Sequence, residues 1–171
     1  MEDKARELLR ILNDNGYAAY IVGGYTRDVL LGRKSNDIDI CTSATPKEIL
    51  DIFEDVKVSD MQYGSVVITY KGYKFDVTTF RKEIKYESNR RPIKIKYIRD
   101  IKKDLLRRDF TINTLCINDK GEVLDVLGVR SDLDQWVILD IRLKRILLEY
   151  LDVLDLLLFW SLILRRRPTT T

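Results

Sequence analysis

Two carboxylates set two residues apart, Asp37 and Asp39, are the residues here whose type and spacing most directly suggest chemistry. They alternate with Ile38 and Ile40 in a run that reads as a strand, Asp37 to Cys41. Residues i and i+2 of a strand point to one face, so the spacing predicts two acids side by side with the isoleucines turned into a core. Like charges that close repel, and something positive is expected between them. Hard oxygen donors of this kind suit magnesium, which is usually held by one or two carboxylates together with substrate phosphates. Taken alone, the pair could equally be two exposed acids on an edge strand. What precedes it changes the weighting. An apolar strand-like run ends at Val22, Gly23 and Gly24 follow, and Arg27 and Asp28 begin a helix that ends near Gly32. Glycines let backbone approach a ligand closely, helix starts attract phosphate, and arginine pairs with phosphate oxygens. Strand, glycine pair, helix, turn and paired acids together are the parts needed for phosphoryl or nucleotidyl transfer.

Two further groups are candidates. Asp76, in FDVTTF, becomes a third carboxylate if its strand pairs next to the Asp37–Cys41 strand; otherwise it is a surface acid on a hairpin. In RRDFTIN, Arg108 and Asp109 are expected at a helix turn, Phe110 as a core anchor, and Asn113 on the same helical face. The plain alternative for that stretch is a solvated basic turn, the usual fate of a charge run.

These residues need elements to hold them. Ala5, Leu8, Leu9 and Leu12 recur at helical spacing and predict an amphipathic helix over Glu2 to Leu12. Thr45-Pro46-Lys47-Glu48 reads as a capped helix start. Val56–Val58, Ser65–Tyr70 and Tyr73–Phe80 read as strands, the last two joined by a tight turn at Lys71-Gly72. Arg81 to Tyr97 is basic and polar with one proline, and reads as a loop; Ile101 to Leu115 reads as one helix. Cys116–Asn118 and Glu122–Asp125 form a short hairpin, and Ser131 to Gln135 looks like a helix start. The pattern predicts an α/β (α+β) domain: a mixed, mainly antiparallel sheet with helices on one side.

Composition limits the chemistry. Among 171 residues there is no histidine, which excludes His-based acid–base catalysis and His-ligated zinc. A net charge of +3 is weak support for a polyanion partner, but Lys and Arg gather in Arg81–Arg108, Arg142–Arg145 and Arg165–Arg167. Cys41 and Cys116, on separate apolar runs, are expected as buried thiols in a reducing cytoplasm. The charged, amphipathic start lacks a secretory pattern, and no run reaches membrane-spanning length.

GGYTRDVLLGRKSNDIDICTSATPKEIL, with FDVTTFR, YESNRRP and DLLRRDFTINTL, resembles the head domain of the tRNA nucleotidyltransferases. These are the CCA-adding enzymes, grouped with bacterial poly(A) polymerases in class II of the polymerase-β-like nucleotidyltransferase superfamily. The likeness runs from about residue 3 to about residue 135, with several motifs in order. It implies Asp37 and Asp39 as ligands of magnesium and Asp76 as the third catalytic carboxylate. It implies Gly24, Arg27 and Arg108 as contacts to the incoming nucleotide, with Gly23 shaping the same turn. Asp109 and Asn113 follow as further nucleotide-binding residues, near the ribose or behind the first contacts. The Tyr86–Arg91 stretch corresponds to a flexible element that differs with nucleotide preference. The implied partners are ATP or CTP and an RNA primer, foremost the tRNA 3′ end, with neither membrane nor DNA. The implied reaction is in-line attack of the primer 3′-hydroxyl on the α-phosphate, with departure of pyrophosphate and assistance from magnesium.

The likeness fades toward the end. Residues 1–135 are expected as the nucleotidyltransferase head, and 136–171 as an atypical leucine-rich helical tail in place of the family's neck. The neck motif EDxxRxxRxxR, whose Asp and first Arg read the base, is not in this sequence, nor are the body and tail domains that hold tRNA. Lys144 to Trp160 can, however, be back-translated so that the frame starting at the third base reads EDPLRILRCVRFASLL. The expectation is that the tail is a frame-shifted neck helix. Two functions stay open: a template-independent RNA nucleotidyltransferase head that adds CCA, CC or A, or that acts as a poly(A) polymerase, and a catalytically impaired nucleotide- or RNA-binding fragment.

Overall fold

The computed structural model describes residues 1–60, 63–87, 91–131 and 141, with the backbone alone for 85–87 and 91–94. The helix start expected at Ser131 to Gln135 and the leucine-rich tail lie almost wholly outside the described residues.

The chain opens with helix α1 (Glu2–Asp14), then strand β1 (Ala19–Val22), the short helix α2 (Gly24–Leu30), strand β2 (Asp39–Thr42) and helix α3 (Pro46–Ile52). Strands β3 (Val56–Asp60), β4 (Ser65–Tyr70) and β5 (Tyr73–Thr79) follow, then β6 (Arg81–Glu87), β7 (Arg91–Tyr97) and helix α4 (Ile101–Leu105). A 3-10 turn (Thr111–Asn113) leads into the small strands β8 (Cys116–Ile117) and β9 (Val123–Leu124). Seven strands form one sheet in the order β3-β4-β5-β2-β1-β8-β9, and β6 and β7 pair separately. All pairings in the large sheet are antiparallel except that of β2 with β5.

Local chemistry accounts for the elements. Thr45 caps α3 through a full capping box: its hydroxyl accepts from the Glu48 N–H, and the Glu48 carboxylate accepts from the Thr45 N–H. The β4–β5 turn has both central residues at positive φ, Lys71 at 48° and Gly72 at 82°, as a two-residue hairpin requires. Alternation along the strands splits the core in two. Ile21, Ile40, Val66, Ile68, Phe75 and Val77 face Leu8, Leu9 and Leu12 of α1 and Ile49 of α3. Each fully buried leucine of α1 contributes about 1.5–3 kcal/mol of transfer free energy. Val22, Cys41, Phe80 and Cys116 point to the opposite face, where Leu105 of α4 covers them.

Three expectations need correction. Helices lie on both faces of the sheet, because the second face carries its own apolar set and α4 buries it. Arg81 to Tyr97 is a hairpin rather than a loop: β6 and β7 pair from Arg81↔Tyr97 to Glu87↔Arg91 with two irregularities. A two-stranded sheet leaves every strand an edge, which is why Pro92 is tolerated there. The helix expected over Ile101–Leu115 stops at Leu105. Arg107 and Arg108 already donate their N–H groups three residues back, to Asp104 and Leu105, and β-branched Thr111 and Ile112 fall in the 3-10 turn and its approach. Asp109 and Asn113 therefore share no α-helical face, and Phe110, extended at φ −121° and ψ 141°, is 39% exposed rather than a core anchor.

Candidate functional site

Strand β2 runs beside β1 with Val22↔Asp39 in register, and beside β5 with Asp39↔Asp76 in register. The parallel pairing of β2 and β5 thus puts Asp39 and Asp76 on neighbouring strands and on the same face. Asp37 lies just before β2 rather than within it, because β1 gives way to α2 after Val22 and leaves residues 37 and 38 no ladder on that side. The alternation nevertheless persists: Ile38 and Ile40 are buried, while Asp37 and Asp39 are exposed. Surrounding protein together with the charges of Asp37 and Asp76 raises the Asp39 carboxyl above its usual pKa; Arg108 works in the opposite direction.

Gly23 is the hinge between β1 and α2. It sits at φ 87° and ψ −149°, a region open essentially to glycine alone. A Cβ here would also lie 3.1 Å from Asp39 Oδ2. Both conditions let the carboxylate lie against bare backbone. At Gly24 a Cβ would meet Arg27 Nη2 at 3.4 Å, ordinary contact distance.

Arg27 is held from two directions. Its Nε donates to Asp28 Oδ1 at 2.9 Å, its Nη2 lies in ion-pair contact with the same oxygen at 2.8 Å, and its Nη1 donates to Asn113 Oδ1 at 3.2 Å. Asn113 comes from the 3-10 turn, so residues 86 apart in sequence meet at the start of α2. Arg108 is mostly buried and donates from Nη2 to Asp104 Oδ2 at 3.2 Å; its Nε has no hydrogen-bond partner among the described residues. Asp109 is exposed, and its carbonyl accepts from the Ile141 N–H at 2.9 Å.

The structure thus joins Asp39 to Asp76 and Gly23, and Arg27 to Asn113, with Arg108 acting on Asp39 through its charge. The Asp109 carbonyl meets the Ile141 N–H. Sequence reasoning missed Asp28, which orients Arg27, and Asp104, which holds Arg108. The Asp104 signal was present: an acid three and four residues before two arginines is a helical ion-pair spacing. Among the described residues, no three or more His, Cys, Asp or Glu converge as a ready-made metal cage. An open set of hard carboxylates with excess negative charge is what a divalent cation completed by substrate phosphates would need. No helix among the described residues is long and apolar enough to cross a membrane.

Comparison with known proteins bears on the fold and the family. Residues 19–139 match the family model described as the Poly A polymerase head domain. A CCA-adding enzyme of Bacillus pumilus is 44% identical over 128 residues, which are 75% of this chain and 32% of that protein. One of Streptococcus agalactiae is 42% identical over 131 residues, 77% of this chain and 33% of that protein. Among solved structures, the Bacillus stearothermophilus CCA-adding enzyme in complex with CTP superposes with a TM-score of 0.72 at 34% identity, covering 81% of this chain and 33% of the other. The Thermotoga maritima CCA-adding enzyme complexed with tRNA gives 0.58 at 29% identity, covering 80% and 31%. The chain spans about a third of the length of these relatives. Since the matched stretch takes in the sheet, the glycine hinge and all the acids and arginines described above, the chain belongs to the Poly A polymerase head domain family, alongside the CCA-adding enzymes.

Proposed function

We propose that this chain is the catalytic head of a template-independent RNA nucleotidyltransferase, moving a nucleotide from ATP or CTP to an RNA 3′ end, in the first place that of tRNA. The observation that carries the reading is the Asp39↔Asp76 register beside a glycine hinge whose missing side chain leaves room for the Asp39 carboxylate. In the mechanism that follows, Asp37 and Asp39 would hold magnesium, with Asp76 as the third carboxylate. Nucleotidyltransferases generally use a divalent metal, and when bound it would supply Lewis-acid stabilisation of charge on the transferring phosphate. Arg27, aimed by Asp28 and Asn113, and Arg108 bring fixed positive charge to the triphosphate. Gly24 would let backbone come close to the nucleotide, and Asn113 and Asp109 would be further nucleotide-binding residues, near the ribose or behind the first contacts. Asp76 is the carboxylate free to orient the primer 3′-hydroxyl and accept its proton. The 3′-oxygen bonds to the α-phosphorus as the bond to the β-phosphate breaks, and pyrophosphate leaves. Residues 1–135 form the head in this reading and 136–171 the tail. Buried, free Cys41 and Cys116 accord with the reducing cytoplasm, where we place the protein.

A second reading rests on the lack of the base-reading motif EDxxRxxRxxR in residues 136–171: the chain binds nucleotide or RNA without transferring. Purified chain incubated with labelled ATP or CTP, magnesium and tRNA lacking its CCA end separates the two. Label on the tRNA, lost in Asp37→Ala while that variant stays folded, supports transfer. Equal labelling by Asp37→Ala and the unaltered chain refutes the metal assignment. Nucleotide binding with no label on the RNA selects the second reading.

A further inference from the structure

Beneath the second face of the sheet lies a cluster of charges that the proposed chemistry does not use. Asp104, at the last turn of α4, is fully buried. Its Oδ1 accepts from Arg107 Nε at 2.9 Å and from the Arg81 N–H at 3.0 Å, with Arg107 Nη2 in ion-pair contact at 2.8 Å; its Oδ2 accepts from Arg108 Nη2 at 3.2 Å. Glu83, also largely buried, lies 4.0 Å from both Arg81 Nη2 and Arg107 Nη1. Among the described residues, three guanidinium groups thus surround two carboxylates. Arg107 touches both carboxylates, whereas the Arg108 side chain is tied to Asp104 alone in the cluster and keeps an Nε with no partner among the described residues. Arg108 is thus the guanidinium of the cluster that Asp104 alone holds among the described residues. The topology says where it faces. Leu105 packs against Val22 and Cys41; Val22 is in register with Asp39, and Cys41 shares a strand face with it two residues on.

We infer that Asp104 is a positioning residue, a buried carboxylate that fixes the Arg108 guanidinium at the edge of the Asp39 and Asp76 face so that its charge meets the nucleotide. Arg107 and the Arg81 N–H occupy the other oxygen of the carboxylate, so Asp104 cannot turn away from Arg108 without breaking two further hydrogen bonds and an ion-pair contact. A mobile arginine would have to surrender side-chain freedom each time a nucleotide bound; one locked by Asp104 has already done so.

The inference rests on Arg108 as a nucleotide contact, and a double-mutant cycle on the full chain distinguishes failure of one from failure of the other. Affinity for the magnesium complex of a non-hydrolysable ATP analogue is measured by calorimetry for Asp104→Asn, Arg108→Ala, Arg27→Ala and the pairs Asp104→Asn/Arg108→Ala and Asp104→Asn/Arg27→Ala. Circular dichroism supplies the folded fraction. Asp104→Asn is expected to weaken binding about five- to tenfold, within the span of couplings between contacting residues. In the Arg108→Ala background the same change should have less than about a twofold effect, whereas with Arg27→Ala it should retain its full factor. A purely structural role would give the same factor in both backgrounds, and that result overturns the inference while leaving the Arg108 contact standing. Unchanged affinity in Arg108→Ala overturns the contact and the inference with it. If Asp104→Asn does not fold, Asp104→Glu takes its place in the cycle; failure of both to fold assigns Asp104 to the fold alone and overturns the proposal.

Discussion

Replacing Gly23 with alanine separates two demands that meet at one residue. The first is conformational. At φ 87° and ψ −149° an L side chain is strained by about 1–3 kcal/mol, a factor of roughly five to more than a hundred in the folding equilibrium. For a chain of this size that lowers the thermal midpoint by about 2–10 °C. The second demand is positional. The new methyl would lie 3.1 Å from Asp39 Oδ2, so the carboxylate must retreat by a few tenths of an ångström from its place beside Asp76. Gly72 supplies the control. It also has positive φ, 82°, but nothing lies within 4 Å of where its Cβ would be, so Gly72→Ala carries only the strain of a left-handed residue, about 1–2 kcal/mol. Both variants should therefore lose stability in denaturant titration, and only Gly23→Ala should also lose affinity for the magnesium–nucleotide complex in its folded form. Should Gly23→Ala bind as tightly as the unaltered chain, or unfold within 0.5 kcal/mol of it (about the scatter of neutral surface changes), the argument that bare backbone makes room for Asp39 is wrong.

Arg27→Ala removes a charged hydrogen-bond donor worth roughly 1.5–3 kcal/mol, so it should weaken nucleotide binding about tenfold or more by calorimetry; unchanged affinity would leave Arg27 as an internal bridge between Asp28 and Asn113. Glu7 accepts from Lys4 and from Lys71, both at 2.6 Å, and those ammonium groups hold its carboxyl down at about 2. Its contribution is therefore fully present above the ordinary glutamate pKa and lost as the pH falls from there through about 2. Thermal scans across that window should show a shallower acid loss for Glu7→Gln, and identical slopes would remove the tie between α1 and the β4–β5 turn from the account. For the tail, DNA sequence is the measurement: the frame read from the third base of codon 144 is expected to encode EDPLR or a close relative, and any other reading abandons the frame-shifted neck.

Some of this protein is written locally, and those parts were legible. The amphipathic spacing of Leu8, Leu9 and Leu12, the capping box of Thr45 and Glu48, the Lys71-Gly72 turn and the alternation that buries Ile38 and Ile40 while exposing Asp37 and Asp39 each depend on neighbours a few residues away. The family's motifs are legible for the same reason, since glycines, acids and arginines at fixed short spacings carry the phosphate chemistry. What sequence could not decide is whatever depends on pairing at a distance. Period-two segments need a partner before they become strands, and Arg81–Tyr97, rich in charge, showed none until β6 met β7. Helical propensity through Leu115 yielded to a 3-10 turn whose Asn113 reaches Arg27 across 86 positions. Asp76 could be a surface acid or a third carboxylate, and only the parallel register of β2 with β5 sets it opposite Asp39. The same holds for Asp104: its spacing to Arg107 and Arg108 is local, but its burial comes from α4 closing the second face of the sheet. Burial is a property of the packed chain, and it is burial that turns an ordinary surface ion pair into one able to hold an arginine in place.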